Sequence, residues 1–416
     1  MRASASDVTP SGVSPTGSAP AQQKAAEPMK DTGTQERKRC LDLRARVVLG
    51  DAGVRFFGAR STTLHRFDSP DGEGRYGFRL RTVDVPWLRR LLLSGFVDKA
   101  EFPVRDVGSV KDDIGDLARL VVFSMLYGRF RSSTTARAVD SDVIRRWNRT
   151  HPHQALDAQN AVSPAELRRA LEPRAEAIRE LKREIALPAL RTISIDEKRS
   201  PDDKKRLARF SQDLLNSLDP LVFFVLLGSP PDARRAIEED IGKELVSAMD
   251  KVDLADYLAL MVLELMSAAE RSTLIDLVGA GVPASELRAQ LEDPAKRHEL
   301  LSKLPNGLAS AMVWSLARRW SLGRWRYRLR LGLYDGSSSY EDSKRLFEER
   351  GRLSVGDRSL KEFYETGTGP YGDDGLGWYY LSFIGEACES MGVGFEASVR
   401  ERSGSGTAAV NLVFVF

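Results

Sequence analysis

The sequence predicts an α+β chain: a C-terminal two-layer α/β sandwich, with a mixed sheet and helices on one face, preceded by a helical region and a small β-rich module. Three observations carry this expectation. Short β-branched and aromatic runs, separated by turn signals, fill residues 45–105. Apolar residues then recur at steps of three and four through most of residues 112–300. Strand-like alternation returns after residue 325, interrupted by segments of helical period. With 42% hydrophobic residues in 416, the chain has enough apolar surface for sizeable cores.

The elements follow in order. Residues 1–38 are rich in Ser, Thr, Pro and Ala and bury too little apolar surface to offset the entropy of ordering, so they read as a disordered tail. Residues 40–110 read as the β-rich module, with "RARVVLG", "VRFFGA", "TTLHRF" and "YGFRLRTVDV" as its strands and "LGDAG" and "SPDGEG" as its turns. His65 lies in one of these runs and reads as a strand residue. Residues 111–200 read as helical. "DDIGDLARLVVFSMLYGRF" has helical spacing, and Ser163-Pro164-Ala165-Glu166 opens a second helix with a Ser N-cap, a Pro at the first position and a Glu at the third. Residues 203–416 read as one further domain: helices to about residue 300, a strand over "WRYRLRLGLYDG", a helix over "EDSKRLFEERG", a Gly-rich entry into the helix "GWYYLSFIGEACESMG", and two strands, "VGFEASVRER" and "TAAVNLVFVF", split by "SGSG".

Charge and composition exclude several classes. Lys+Arg number 62 against 59 Asp+Glu, a net charge of +3, so the global balance argues against a nucleic-acid partner. Cys40 and Cys388 are too few for a disulfide scaffold or a four-cysteine zinc site. His151 and His153 stand two apart in "THPHQ" with no acidic or thiol neighbour, which argues against a metal site. The longest apolar runs, Leu221–Leu227 and Leu258–Met266, fall short of a membrane span, and no signal peptide opens the chain, so a cytoplasmic protein is expected.

The sharpest chemical signal is near the C-terminus. Asp373-Asp374-Gly375-Leu376-Gly377 opens a helix, a strand follows, and Gly406-Thr407 precedes the last strand. Glycines let backbone N–H groups approach a phosphate, and a helix N-terminus favours its charge. Upstream stand Glu362-Phe363-Tyr364-Glu365-Thr366-Gly367, then Asp335-Gly336 after a strand, then Glu264-Leu265-Met266-Ser267-Ala268-Ala269 on a helix. In this order the four segments resemble the boxes of the histidine-kinase-like ATP-binding domain, the superfamily of gyrase, the heat-shock chaperone ATPase, histidine kinases and MutL. The resemblance spans 203–416, about half the chain, in degenerate form. It implies ATP as ligand, with Asp335 reading the adenine amino group, Gly336 beside it, Gly375, Leu376, Gly377 and Thr407 around the phosphates, and Glu264 positioning or activating the nucleophile. Asp373 stands where the family has a glycine, and Ser337 and Ser339 replace two more. Ala268 stands where the family has a Mg²⁺-binding Asn, and a methyl group offers a hard cation no oxygen.

No histidine on a helix with an acidic neighbour precedes the domain, and His298 falls inside it, so autokinase activity is not expected. The resemblance thus implies a regulator or scaffold with a protein partner. One alternative is a weak ATPase or phosphotransferase using Glu264 and the glycine lid. A third reading takes the tract Arg318–Arg330, where Trp320, Trp325 and Tyr327 interleave with arginines, as a nucleic-acid contact. The same tract reads more simply as a strand with aromatics inward and arginines in solvent. Cys388 reads as a small buried apolar residue.

Overall fold

The computed structural model describes residues 40–67, 74–156, 165–197, 199–278, 286, 289–290, 293–304, 310–321, 324–350, 376–401 and 407–416. The chain is α+β, as its periodicities require. Among the described residues the N-terminal part supplies β1 (Cys40–Leu41), β2 (Ala45–Leu49), α1 (Asp51–Gly58), β3 (His65–Phe67), β4 (Arg75–Leu80), β5 (Val83–Asp84), α2 (Val85–Leu93) and β6 (Val97–Val104). Helices follow: α3 (Lys111–Val139), α4 (Asp142–Thr150), α5 (Ala165–Leu171), α6 (Ala175–Ile195), α7 (Pro201–Asn216), α8 (Pro220–Gly228), α9 (Pro231–Met249), α10 (Asp253–Val278) and α11 (Pro294–Ser302). The C-terminal part adds β7 (Ser310–Ser321), β8 (Arg324–Ser339), α12 (Tyr340–Arg350), α13 (Leu376–Ser390), β9 (Gly394–Glu401) and β10 (Thr407–Val415).

Eight of these strands form one sheet in the order β3-β4-β2-β6-β7-β8-β10-β9, and every described pairing in it is antiparallel. Two expectations change here. The sheet is antiparallel rather than mixed, because the hairpins β7–β8 and β9–β10 set neighbouring strands in opposite directions and β6 meets β7 antiparallel after the helical excursion. Residues 40–110 also do not close a module of their own. The β6 segment 99–104 pairs with Ser315–Ser310 of β7, so the N-terminal strands continue the C-terminal sheet, and Arg39–Phe416 is one compact unit. The four-stranded piece β3–β4–β2–β6 of residues 40–110 would leave the edge of β6 open, and β7 pairs with that edge.

Register sorts the side chains. Met312, Trp314, Leu329, Leu331, Leu333, Leu412 and Phe414 are buried on the inner face, and α3, α10 and α13 pack there. α10 is the middle helix. Leu258, Met261, Val262 and Met266 are fully buried in it. α3 and α13 both run antiparallel to it: Arg119 meets Asp256, while Glu270 meets Val107 just before α3, and on the other flank Phe383 meets Tyr257 while Gly377 meets Leu265. Helices α7, α8 and α9 pack on the far side of α3 as a further layer.

Local chemistry explains the boundaries. Ser200-Pro201, Asp219-Pro220 and Asp293-Pro294 each put an N-capping side chain before a Pro in the first turn, and each cap accepts a backbone N–H at 2.9–3.2 Å. This is the signature expected at Ser163-Pro164, which lies outside the described residues. The helix predicted from there breaks at Glu172–Arg174, where Pro173 sits in a short 3₁₀ turn between α5 and α6. The segment "VRFFGA" is helical in α1, not extended, because Phe57 packs on Phe78 and Phe56 on Phe96 across the sheet end. Gly95 and Gly392, at φ +66° and +65°, end α2 and α13 in the left-handed conformation, and Phe96 and Val393 donate back to Leu91 and Cys388. No single helix among the described residues is long and apolar enough to cross a membrane.

Leu258→Ala should destabilise the protein by about 2–5 kcal/mol, because the site cannot collapse between two layers. Gly242→Ala, where an added Cβ meets nothing within 4 Å in the interior of α9, should stabilise it by roughly 0.5–1 kcal/mol. Urea denaturation midpoints of the two variants check both signs.

Candidate functional site

One end of the sheet–helix layer holds several of the described residues that the family resemblance singles out: Asp335 and Gly336, Leu376 and Gly377, and Thr407. β6 ends and β7 begins there, with Val104 opposite Ser310. β8 reaches it with Asp335 opposite Ser310 and Ser339 opposite Thr407, the first residue of β10. α10 reaches the same end, since Glu270 accepts the Val107 N–H just beyond β6. α13 starts there, with Gly377 seated directly on α10. A Cβ at Gly377 would stand 2.9 Å from Leu265 N and 3.1 Å from its Cα. That contact joins two segments more than a hundred residues apart in sequence.

Glu264, one residue before Leu265, is half-buried. It shares a side of α10 with Ala268, one turn on, and Arg271, two turns on. Asp335 and Gly336 lie within β8. Asp-Gly does not form a turn here, because the strand continues to Ser339 under pairing from both neighbours. Thr407 is half-buried opposite Ser339, beside an irregularity in the β8–β10 register. Leu376 is the first residue of α13. Gly375, Asp373 and the aromatic segment 362–367 lie outside the described residues. Sequence reasoning missed Ser310. Its Oγ is buried, with no hydrogen-bond partner among the described residues, and it sits opposite Asp335.

A second cluster adjoins this end. Glu270 on α10 is 4% exposed, accepts the Val107 N–H at 2.5 Å and pairs with Arg297 of α11, which also reaches Asp106 at 2.8 Å. Burial pushes the Glu270 carboxyl above its ordinary value, against the lowering pull of the Val107 N–H and Arg297. Arg297 lies across Gly108, where any side chain would collide with its guanidinium. The cluster ties α11 and the β6–α3 turn to α10.

The opposite end of α10 carries an open cleft of about 430 Å³ lined by Asp196, Arg199, Asp203, Arg206, Asp253, Asp256 and Tyr257. Its charges are spent on one another: Arg206 meets Asp203 and Asp253 at 3.3 Å and Asp256 at 2.5 Å, and Arg199 meets Asp253 at 3.0 Å. Burial alone would lower the Arg206 pKa, but Asp256 leads three carboxylates that hold it above its ordinary value. Among the described residues no group of three or more His, Cys, Asp or Glu is disposed to hold a metal ion. His151 stacks on Trp147 with centroids 3.8 Å apart, and its Nδ1 lies 2.9 Å from Thr150 Oγ1. Cys388 is fully buried in α13, and burial raises its thiol to about 12.

Because the folded-state pKa of Glu270 lies above its ordinary 4.5, the native state holds a proton that the unfolded chain has lost in the window just above that value. Stability should therefore fall as pH rises through this window, and Glu270→Gln should remove that component. Arg297→Ala should steepen it by leaving the ionised carboxylate without its cation. Urea midpoints between pH 4 and 8 read all three.

A model of a family of unknown function, DUF8084, matches residues 36–416. A Treponema pallidum (strain Nichols) protein, described only as uncharacterized, is 24% identical over 388 residues, which cover 92% of this chain and all of that protein. No solved structure matches the chain significantly. The family match takes in the whole described sheet and every helix packed on it, and on that ground the chain belongs to the family of unknown function DUF8084.

Proposed function

We propose that the C-terminal half is a nucleotide-binding regulatory domain, a degenerate relative of the histidine-kinase-like ATP-binding domain that serves as a regulator or scaffold rather than as an autokinase. The contact of Gly377 with Leu265 carries the reading. It packs the glycine-led start of α13 on the helix turn that bears Glu264, so the two boxes border the same end of the sheet–helix layer, beside which a triphosphate would lie. The common end of β8 and β10, with Asp335 and Thr407 on adjacent strands, supports it. So does the buried Ser310 hydroxyl, which has no hydrogen-bond partner among the described residues and lies opposite Asp335 in the strand register. In this reading the N-terminus of α13 faces the phosphates, Asp335 the purine, and Ala268 leaves Mg²⁺ without a protein ligand. Slow hydrolysis is the lesser reading, because phosphoryl transfer depends on a metal to neutralise developing charge. Glu264, half-buried on α10, is the residue that would act as its base.

A ligand that binds only the native state stabilises it by about 2.7 kcal/mol at a hundred times its dissociation constant. Millimolar ATP should raise the thermal midpoint, and Mg²⁺ should add nothing further. Ala268→Asn, which restores an oxygen donor at a half-buried position, should make the ATP shift Mg²⁺-dependent. An unchanged midpoint in ATP, with and without Mg²⁺, would overturn the nucleotide reading. Phosphate release abolished by Glu264→Gln would transfer it to the weak ATPase.

A further inference from the structure

The sheet face turned away from the helices holds a charge pattern that the whole-chain balance conceals. On β8 the inner face takes Tyr327, Leu329, Leu331 and Leu333, so Arg326, Arg328 and Arg330 all project outward. Tyr327 turns inward, and its hydroxyl donates to Gly128 O at 2.9 Å, while the side chains of Trp320 and Trp325 lie outside the described ones. Arg326 and Arg330 are exposed, and neither forms an ion pair among the described residues. Arg328 approaches Glu396 at 4.0 Å. The floor around the stripe is low: β7 presents Ser315 and Ala317 opposite Arg330 and Arg328, and β10 presents Val413 and Val415 on the other side. Arg400 on β9 extends the positive charge to one side, while on the other Lys99 of β6 is paired with Glu101 at 2.5 Å. Among the described residues no helix packs on this face.

We propose that this outer face binds a single-stranded nucleic acid along β8. The proposal stands on this face alone and is independent of nucleotide binding at the sheet end. Alternate residues of a strand lie about 6.8 Å apart, which lets three successive arginines meet successive phosphates of an extended strand. The stripe is arginine throughout, and the guanidinium fork matches a phosphate in a way that an ammonium does not. Tyr334 continues the line, with its ring lying over Gly332, 3.2–3.3 Å from where a Cβ would stand, so an aromatic surface follows the cations in the arrangement that single-strand binders use. A second copy of this face is a poor occupant, since arginines would oppose arginines.

The test measures fluorescence anisotropy of a labelled 20-nucleotide oligo(U) with the full chain, titrated from 50 to 300 mM salt. The expected result is binding whose logarithm falls linearly with log salt. Arg326→Gln/Arg330→Gln should weaken it and reduce the slope by about 1.4, which is 0.7 for each lost phosphate contact. Arg179→Gln/Arg183→Gln, on the exposed side of α6, should leave it unchanged. Circular dichroism and the thermal midpoint establish that both double variants fold. No binding at 50 mM salt, an unaltered slope in the β8 variant, or capture by phosphatidylglycerol vesicles without capture of the oligonucleotide would each overturn the proposal, the last in favour of a membrane surface.

Discussion

α10 has apolar residues on more than one side, so it can be buried only if several elements close on it together. Leu254, Leu258, Met261, Val262, Leu265 and Met266 lose nearly all solvent contact, which is possible because β8 lies beneath the helix, α3 flanks it on one side and α13 on the other. Each of these comes from a different part of the chain. The constraint therefore explains why residues 40–110 share a sheet with residues 310–416. The strand that leads into α3 must arrive at the same end as the strand that follows α11. Gly377 is part of the same requirement, since α13 approaches α10 more closely than any side chain there would permit.

The polar ends of α10 follow from its length. A helix of 26 residues projects beyond the apolar layer at both ends, and ion pairs take over there. At one end Asp253 and Asp256 answer Arg119, Arg199 and Arg206. At the other Glu270 answers Arg297 and the Val107 N–H. The two clusters differ in burial. The first is open to solvent, which screens it, so it fixes geometry more than it stabilises. The second holds a nearly inaccessible carboxylate, whose ionisation is costly and whose partners cannot be removed without consequence. The end that holds Glu270 is also the end that gathers Asp335, Gly377 and Thr407, so the candidate site borders the most tightly constrained polar contact on α10.

Element type was legible wherever a period ran uninterrupted. The alternation in "WRYRLRLGLY" and the helical period in "DLADYLALMVLELM" translate directly, because a period acts over a few residues. Where the pattern was short, neighbours decided. "VRFFGA" is as apolar as a strand but folds as α1, where its two phenylalanines, Phe56 and Phe57, meet Phe96 and Phe78. "SAMVWSLARRW", which has no place among the elements read from the sequence, is the strand β7 that joins the two halves of the sheet. Asp335-Gly336 has the composition of a turn and lies in a strand, because pairing from β7 and β10 outweighs a local preference worth a fraction of a kcal/mol.

The sequence by itself determined the class of the fold, the helices and strands with clean periods, the inward and outward alternation of the β8 arginines, and the order in which the glycine, Asp and Glu segments occur. Only the tertiary structure decided that the β-rich start and the C-terminal strands form one antiparallel sheet, that Gly377 lands on the turn after Glu264, that Ser310 lies buried opposite Asp335, and that the arginines of β8 gather on a face no described helix covers. The division has a physical cause. Periodicity and capping are free energies of near neighbours and are written in consecutive residues, whereas strand partners and helix contacts are chosen by which distant surfaces bury the most apolar area without stranding a polar group.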